Sequence, residues 1–180
     1  MRTVHLGFGA NVEPARNARR ALEGLAETVE VRAVSTVYRT PALKRPEDPD
    51  FLNAGFAIAT DLDPHELKRD LLQQLEARAG RERGADPYAP RPLDLDILLD
   101  GDRGIDDELL TVPDPDLYDR AFLARPLLEI AGDVELPDTG RRLSAVADEL
   151  DPGGMEAQRE LTRELRSRVD EPAPGSRPDA

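Results

Sequence analysis

The chain has 180 residues, with 37 aspartates and glutamates against 24 lysines and arginines, for a formal charge of −13. That length allows one ordinary domain with a real core, and the acidic balance argues against general nucleic-acid binding, which needs a basic surface. The absence of cysteine and the presence of only two histidines exclude disulfides and thiolate chemistry and leave no basis for a histidine-rich metal site.

Val4, Leu6 and Phe8 alternate with Thr3, His5 and Gly7, which predicts a strand over 3–8. Gly9-Ala10-Asn11 reads as the turn that leaves it. Glu13-Pro14 opens a helix, since proline suits the first helical position, and Ala15, Ala18, Leu22, Leu25 and Ala26 give it one apolar face. The β-branched stretch 29–38 predicts a second strand. Residues 40–50 contain Pro41, Pro46 and Pro49 and read as a loop. Phe51 to Thr60 is a third strand, with Leu52, Ala54, Phe56 and Ile58 on its apolar side and Asn53 on the other.

Asp63-Pro64-His65-Glu66 is a helix start of capping-box type, continued by Leu67, Leu71, Leu72 and Leu75 and ended at Gly80. Residues 81–92 form a second polar loop and 93–99 a fourth strand. After a turn-rich segment at 113–119, a short apolar helix is expected over 121–131 and a charged surface helix over 155–169. The proline- and glycine-rich end, 171–180, is expected to be disordered. The order β-α-β-β-α-β predicts an α+β fold with a ferredoxin-like core and a C-terminal helical extension. Both core helices would lie on one sheet face, leaving the other for a site. The domain is assigned to 1–150, and a surface helix and tail to 151–180. No apolar run is long enough to span a membrane and no signal-peptide pattern is present, so a cytoplasmic location is expected.

The fourth strand carries the most informative pattern. In Pro90-Arg91-Pro92-Leu93-Asp94-Leu95-Asp96-Ile97, the leucines and isoleucine alternate with two aspartates. Both carboxylates therefore share one face, their stems roughly 7 Å apart. Such a pair can hold hard cations, above all Mg²⁺ carrying phosphates. It can equally be the solvated face of an edge strand. Arg81, Arg83 and Arg91 lie close by in sequence, and fixed cations beside a carboxylate site suggest phosphoryl chemistry. Lys44 and Lys68 are the only lysines; the acidic, lysine-poor composition suits either a salt-rich cytosol or a GC-rich genome.

Several segments resemble one family. Phe51-Leu52-Asn53-Ala54, Gly80-Arg81-x-Arg83, Pro90 to Ile97 and Arg120-Ala121-Phe122 occur in the order and spacing of 6-hydroxymethyl-7,8-dihydropterin pyrophosphokinases. Gly9-Ala10-Asn11 and Tyr38-Arg39-Thr40-Pro41 are similar too, so the likeness covers roughly 3–148. The resemblance implies transfer of a pyrophosphoryl group from ATP to the hydroxymethyl group of a reduced pterin, with AMP released, on the folate pathway. It implies two Mg²⁺ ions on Asp94 and Asp96, and Arg81 and Arg91 as the catalytic clamp on the phosphates. Thr40, Pro41, Ala42, Leu43, Phe51, Asn53 and Phe122 stand at its pterin-binding positions, with Phe122 as one face of an aromatic sandwich. Gln73, Arg83, Tyr88, Ile97, Asp114 and Arg120 stand at its nucleotide-binding positions, and Glu76 at one that is structural. The expected partners are these two small molecules alone, with no nucleic acid and no membrane, and the protein is expected to be a monomer.

The chain departs from the family's pattern in places. Tyr88-Ala89 stands for the usual Trp-Gly, Pro92 for Thr, and Pro113-Asp114-Pro115 for Pro-His-Pro. An aspartate where a histidine contacts nucleotide phosphate sets negative charge against negative charge. These departures motivate the alternative of a relative that binds pterin or nucleotide without efficient turnover. A ferredoxin-like RNA-binding module is the third possibility, but stacking aromatics and a basic surface are missing.

Overall fold

The computed structural model describes residues 1–42, 47–81 and 90–170. Strand β1 (Arg2–Ala10) runs two residues past its expected end, because Gly9 and Ala10 stay paired with Asn53 and Leu52. Helix α1 (Pro14–Ala26) begins at the predicted proline and buries Ala18, Ala21, Leu22 and Leu25. The single strand expected over 29–38 is two strands, β2 (Glu30–Val34) and β3 (Tyr38–Thr40), both antiparallel to β4 (Phe51–Thr60). Ser35 breaks the run. Its N–H donates to the Gly55 carbonyl at 2.9 Å, and its hydroxyl accepts from the Gly55 N–H at 2.7 Å.

The next helix comes in three parts: α2 (Pro64–Glu66), a π-helical stretch Leu67–Leu72, and α3 (Gln73–Arg78). Asp63 caps it by accepting from the His65 N–H. The wider π turn brings Leu67, Leu71 and Leu72 all to the buried side. Strand β5 (Asp94–Asp100) comes next, then a small hairpin of β6 (Ile105–Asp106) and β7 (Thr111–Val112) and a 3₁₀ turn Pro115–Tyr118. The chain continues through α4 (Ala121–Ala131), α5 (Leu143–Glu149), β8 (Glu156–Ala157) and α6 (Arg159–Asp170). The main sheet has the order β5-β1-β4-β3-β8, with β2 also on β4, and its pairings are antiparallel.

One face of this sheet carries the main core. Val4, Leu6, Phe8, Phe56, Ile58, Leu95 and Ile97 pack beneath Leu22, Leu25, Leu67 and Leu72 of the first two helical segments. Phe8 and Phe56 meet with ring centroids 5.9 Å apart, a tilted pair worth about 0.5–1.5 kcal/mol beyond its burial.

The opposite face is not left open as the sequence suggests. Helix α4 lies on it, so closely that a Cβ on Gly55 would sit 2.9 Å from Ile130 Cδ1 and 3.5 Å from the Pro126 carbonyl oxygen. A bulge in the β1–β5 pairing, where the register shifts between His5 and Leu6, frees the strand from strict alternation. Leu98 and Leu99 then both enter a second cluster with Leu117, Leu127, Leu143 and Val146. Gly9 is the exception on this face. A Cβ there would meet, among the described residues, only the Asn53 amide oxygen at 3.2 Å.

The C-terminal segment packs on the domain. Strand β8 pairs with β3, and Leu165 of α6 is fully buried in the main core. Among the described residues no helix is long and apolar enough to cross a membrane. Residues 171–180, where disorder is expected, lie outside the described residues.

Candidate active site

The register of the sheet sets the site. Asp94 lies opposite Gly9, and Gly9 lies opposite Asn53 on its other side. Residues directly opposite in antiparallel strands project to the same face. Asp94 and Asn53 therefore rise from one side of the sheet with a side-chain-free residue between them. At a strand spacing of about 4.8 Å they stand about 10 Å apart, the ends of a shallow trough. Asp96, opposite Gly7, is the next step along the same face. The carboxylates do share a face, and Leu93, Leu95 and Ile97 fill the core behind them.

Strand β5 is the edge of the sheet, but Asp94 is no solvated edge residue. Its side chain is 18% exposed, and both of its oxygens are engaged. Arg81 Nη1 donates to Oδ1 and Arg91 Nη1 donates to Oδ2, the latter at 2.6 Å. The same Arg81 nitrogen lies 2.7 Å from Oε1 of Glu76, a buried carboxylate that also accepts from the Leu95 N–H at 2.9 Å. Glu76 thus ties α3 to β5 and holds Arg81 at the site. Asn11 does the same for Arg91: its Oδ1 accepts from the Arg91 N–H at 2.7 Å, and its own N–H donates to the Arg91 carbonyl at 2.9 Å. The arginines flank β5 because two buried polar residues, Glu76 and Asn11, hold them there.

Asp96 faces a different environment. Lys68 Nζ, on the π-helical stretch, is 3.8 Å from its Oδ1. Removal from bulk water in the cleft, followed by the charges of Asp94 and Asp114, pushes the Asp96 carboxyl up to about 7, against the pull of Lys68. Asp114 is itself raised, chiefly by burial and against the N–H of Asp116 that it accepts. It caps the 3₁₀ turn, and its N–H donates to the Leu98 carbonyl at 3.1 Å, which fastens this turn to β5. Sequence reasoning missed Lys68; the signal was that the chain has so few lysines.

These donors are all oxygens, and the Asp96 carboxyl among them is raised well above the usual carboxylate range. That is the chemistry a hard divalent cation relieves. Among the described residues no three His, Cys, Asp or Glu side chains close into a metal cluster. Two carboxylates whose coordination shell is completed by phosphate and water is the usual way Mg²⁺ is held.

The raised Asp96 carboxyl makes both stability and metal affinity depend on pH. Its proton stabilises the metal-free fold fully below the ordinary carboxylate range near 3.8, and this contribution is lost as pH rises through about 7. A Mg²⁺ ion held by these carboxylates would compete with the same proton. Its affinity should therefore fall by up to tenfold per pH unit below about 7 and level off above it. Calorimetric titration of Mg²⁺ at pH 6 and 8 measures this. An Asp96→Asn variant with the same pH dependence would place the proton elsewhere.

At the other end of the trough, the Asn53 amide nitrogen donates to the Thr40 hydroxyl at 2.7 Å. Thr40, Pro41 and Ala42 share a cavity of about 230 Å³ with Arg120 and Phe122 at the start of α4. Phe51 is half-buried at the start of β4, and Gln73 is half-buried at the start of α3. Arg120 lies with the Thr40–Ala42 side of the site, although its sequence position implied a nucleotide contact. Ile97 is 2% exposed, within the core, so only its main chain is available to a nucleotide. Leu43, Arg83 and Tyr88 lie outside the described residues.

The sequence model of one family, 7,8-dihydro-6-hydroxymethylpterin-pyrophosphokinase (HPPK), matches residues 5–132. The chain belongs to the HPPK family. It is 37% identical over 142 residues to the 2-amino-4-hydroxy-6-hydroxymethyldihydropteridine pyrophosphokinase of Haemophilus influenzae, covering 77% of this chain and 88% of that protein. The enzyme of the same name from Pseudomonas aeruginosa is 39% identical over 143 residues, with 78% and 86% covered. That of Methylorubrum extorquens is 37% identical over 159 residues, with 87% and 98% covered. A crystal structure of Plasmodium falciparum HPPK-DHPS shares the fold with a TM-score of 0.62 at 11% identity; the two correspond over 83% of this chain and 43% of that longer one. Nothing in these comparisons supports a relative that has lost turnover. The chain is a transferase of folate biosynthesis that moves a pyrophosphoryl group.

Proposed function

We propose that this pyrophosphokinase takes ATP as its donor and Mg²⁺ as its metal, and acts on the hydroxymethyl group of 6-hydroxymethyl-7,8-dihydropterin. The observation that carries this reading is the trough from Asp94 and Asp96, beside Arg81, Arg91 and Lys68, to Asn53 and the Phe122 cavity. Charge for a polyphosphate lies at one end and a slot for a flat ring at the other. A hydroxymethyl group on the ring would point from the second toward the first.

With AMP as the leaving group, the hydroxymethyl oxygen attacks the β-phosphorus, the bond from that phosphorus to the α–β bridging oxygen breaks, and the hydroxyl proton is released. Asp94 and Asp96 would hold two Mg²⁺ ions, which when bound neutralise phosphate charge and align the attacking and leaving oxygens. Arg81 and Arg91 would exchange Asp94 for phosphate oxygens, a task suited to planar guanidinium groups. Lys68 would turn from Asp96 to the polyphosphate and supply positive charge where Asp114 supplies none. Asn53 would pair with the ring edge, its amide offering both donor and acceptor, and Phe122 would stack on the ring. Gln73 and the main chain of Ile97 would flank the nucleotide. We read the strand order as the ferredoxin-like β-α-β-β-α-β arrangement. We take the active unit to be a monomer, because both ends of the trough come from one chain, and a cytoplasmic location suits its cysteine-free sequence. AMP formation from ATP and the reduced pterin in the presence of Mg²⁺ tests the reading; binding of both without AMP would overturn it.

Asp114 adds a prediction about salt. Its carboxylate lies close enough to Asp96 to raise it; if it also faces the phosphates, repulsion is strongest at about 0.01 M ionic strength, where the Debye length is ~30 Å, and weak at 1 M, where it is ~3 Å. Asp114→Asn keeps an acceptor for the Asp116 N–H and removes the charge. It should lower the KM for ATP several-fold at low KCl and change it little at 1 M. An equal KM for both proteins at low KCl would show that Asp114 does not face the phosphates.

A further inference from the structure

We propose that residues 151–155 form one wall of the pterin pocket, and that Met155 is a specificity-determining residue for the pterin. The proposal rests on the pterin reading of that pocket and adds a part of it that lies beyond the stretch matched by the family's sequence model, which ends at residue 132.

The cavity beside Thr40 and Phe122 is also lined by Asp151, Pro152, Gly153 and Met155. This segment is a tight turn. Gly153 and Gly154 have φ of 47° and 79°, the left-handed region that a side chain disfavours. The Gly153 N–H donates to Asp151 Oδ1 at 2.9 Å, and the Met155 N–H donates to the Pro152 carbonyl at 3.0 Å. The turn also sits against the pocket's other wall: a Cβ on Gly154 would lie 3.6 Å from Pro41 Cγ, in ordinary contact.

Strand β8 and the start of α6, immediately after the turn, hold it in place. Glu156 and Ala157 pair with Arg39 and Tyr38. Arg39 Nη2 donates to Glu156 Oε2 at 2.5 Å, and the Gln158 N–H donates to the Val37 carbonyl at 2.8 Å. In return the Val37 N–H donates to the Thr162 hydroxyl of α6 at 2.9 Å. The wall is thereby hydrogen-bonded to β3, the strand whose last residue, Thr40, holds Asn53. Pocket wall and ring-edge amide share one support.

The chemistry of the wall favours the ring over the nucleotide. Asp119 and Asp151 both line the cavity, against the single Arg120. Two carboxylates repel a triphosphate and accept from ring N–H and amino donors. Met155 is half-buried and lines the same cavity as Phe122, and its unbranched thioether gives an adaptable apolar surface there.

The chain contains no tryptophan, so Met155→Trp both narrows the pocket and introduces the sole indole fluorophore. In the full chain it should weaken binding of the reduced pterin at least about tenfold, with ATP–Mg²⁺ binding and the melting temperature unchanged. Its emission should respond to the pterin and stay constant with ATP–Mg²⁺. Met155→Ala, which widens the slot, should also weaken the pterin, by a smaller factor, and raise the KM for pterin with little effect on kcat. Pterin affinity equal to wild type in both variants, with silent emission, would overturn the proposal. So would equal losses for pterin and ATP with a lowered melting temperature, which would mark a structural role. Failure of the wild-type protein itself to bind the reduced pterin is a different result: it would remove the pterin reading of the cavity and this inference with it.

Discussion

Asp96→Ala is expected to abolish pyrophosphoryl transfer and leave the fold intact. The carboxylate lies on the sheet face opposite the main core and belongs to neither apolar cluster, so no apolar packing is lost with it. Its removal relieves first the loss of hydration and then the repulsion with Asp94 and Asp114 that raise its pKa. The metal-free variant should melt at or above the wild-type temperature at pH 8. Activity should move in the opposite direction. If Asp96 is one of two carboxylates holding the ions, turnover should fall by about three orders of magnitude or more, ~4 kcal/mol of lost transition-state stabilisation. Mg²⁺ should no longer raise the melting temperature, since a ligand that binds only the folded state stabilises it in proportion to its occupancy. Circular dichroism and AMP release decide the matter together. Near-full activity in a folded Asp96→Ala protein would move the metal site elsewhere.

The second large effect belongs to the arginines. Arg91→Ala should lower kcat by about two orders of magnitude, ~3 kcal/mol, because it removes a charge-assisted contact that strengthens as charge shifts during transfer. The KM for the pterin should change little. Arg91 is the cleaner test of the two, since Asn11 fixes its main chain independently of the side chain. Arg81→Ala should show the same loss of kcat and also lose stability. It withdraws a cation from the buried Glu76 as well as from Asp94. Each kcal/mol lost in a chain of this size lowers the melting temperature by roughly 2–4 °C. A change confined to the pterin KM in Arg91→Ala would contradict the assignment to phosphate.

Local and periodic features were legible in the residues alone. The alternation in Leu93-Asp94-Leu95-Asp96-Ile97 put two carboxylates on one face, because side chains in a strand repeat every second residue whatever the strand pairs with. The strand Phe51–Thr60 was legible for the same reason, and the helix starting at Pro14 and the cap at Asp63 from the local preferences of helix ends. The motif segments were also enough to point to the family. Tertiary packing set whatever joins chain segments far apart in sequence. Only strand register shows that Gly9 separates Asp94 from Asn53, and only packing shows that α4 fills the sheet face expected to be free. The second strand split because Ser35 found Gly55 of another strand, a partner no local pattern could announce. Lys68 reaches Asp96 from a π-helical turn, and Asp114 comes to β5 through a main-chain bond to Leu98. The turn at 151–155 meets Pro41 more than a hundred residues away along the chain. A side chain's direction within its own element follows from backbone geometry, whereas its neighbours across elements follow from which buried surfaces fit together.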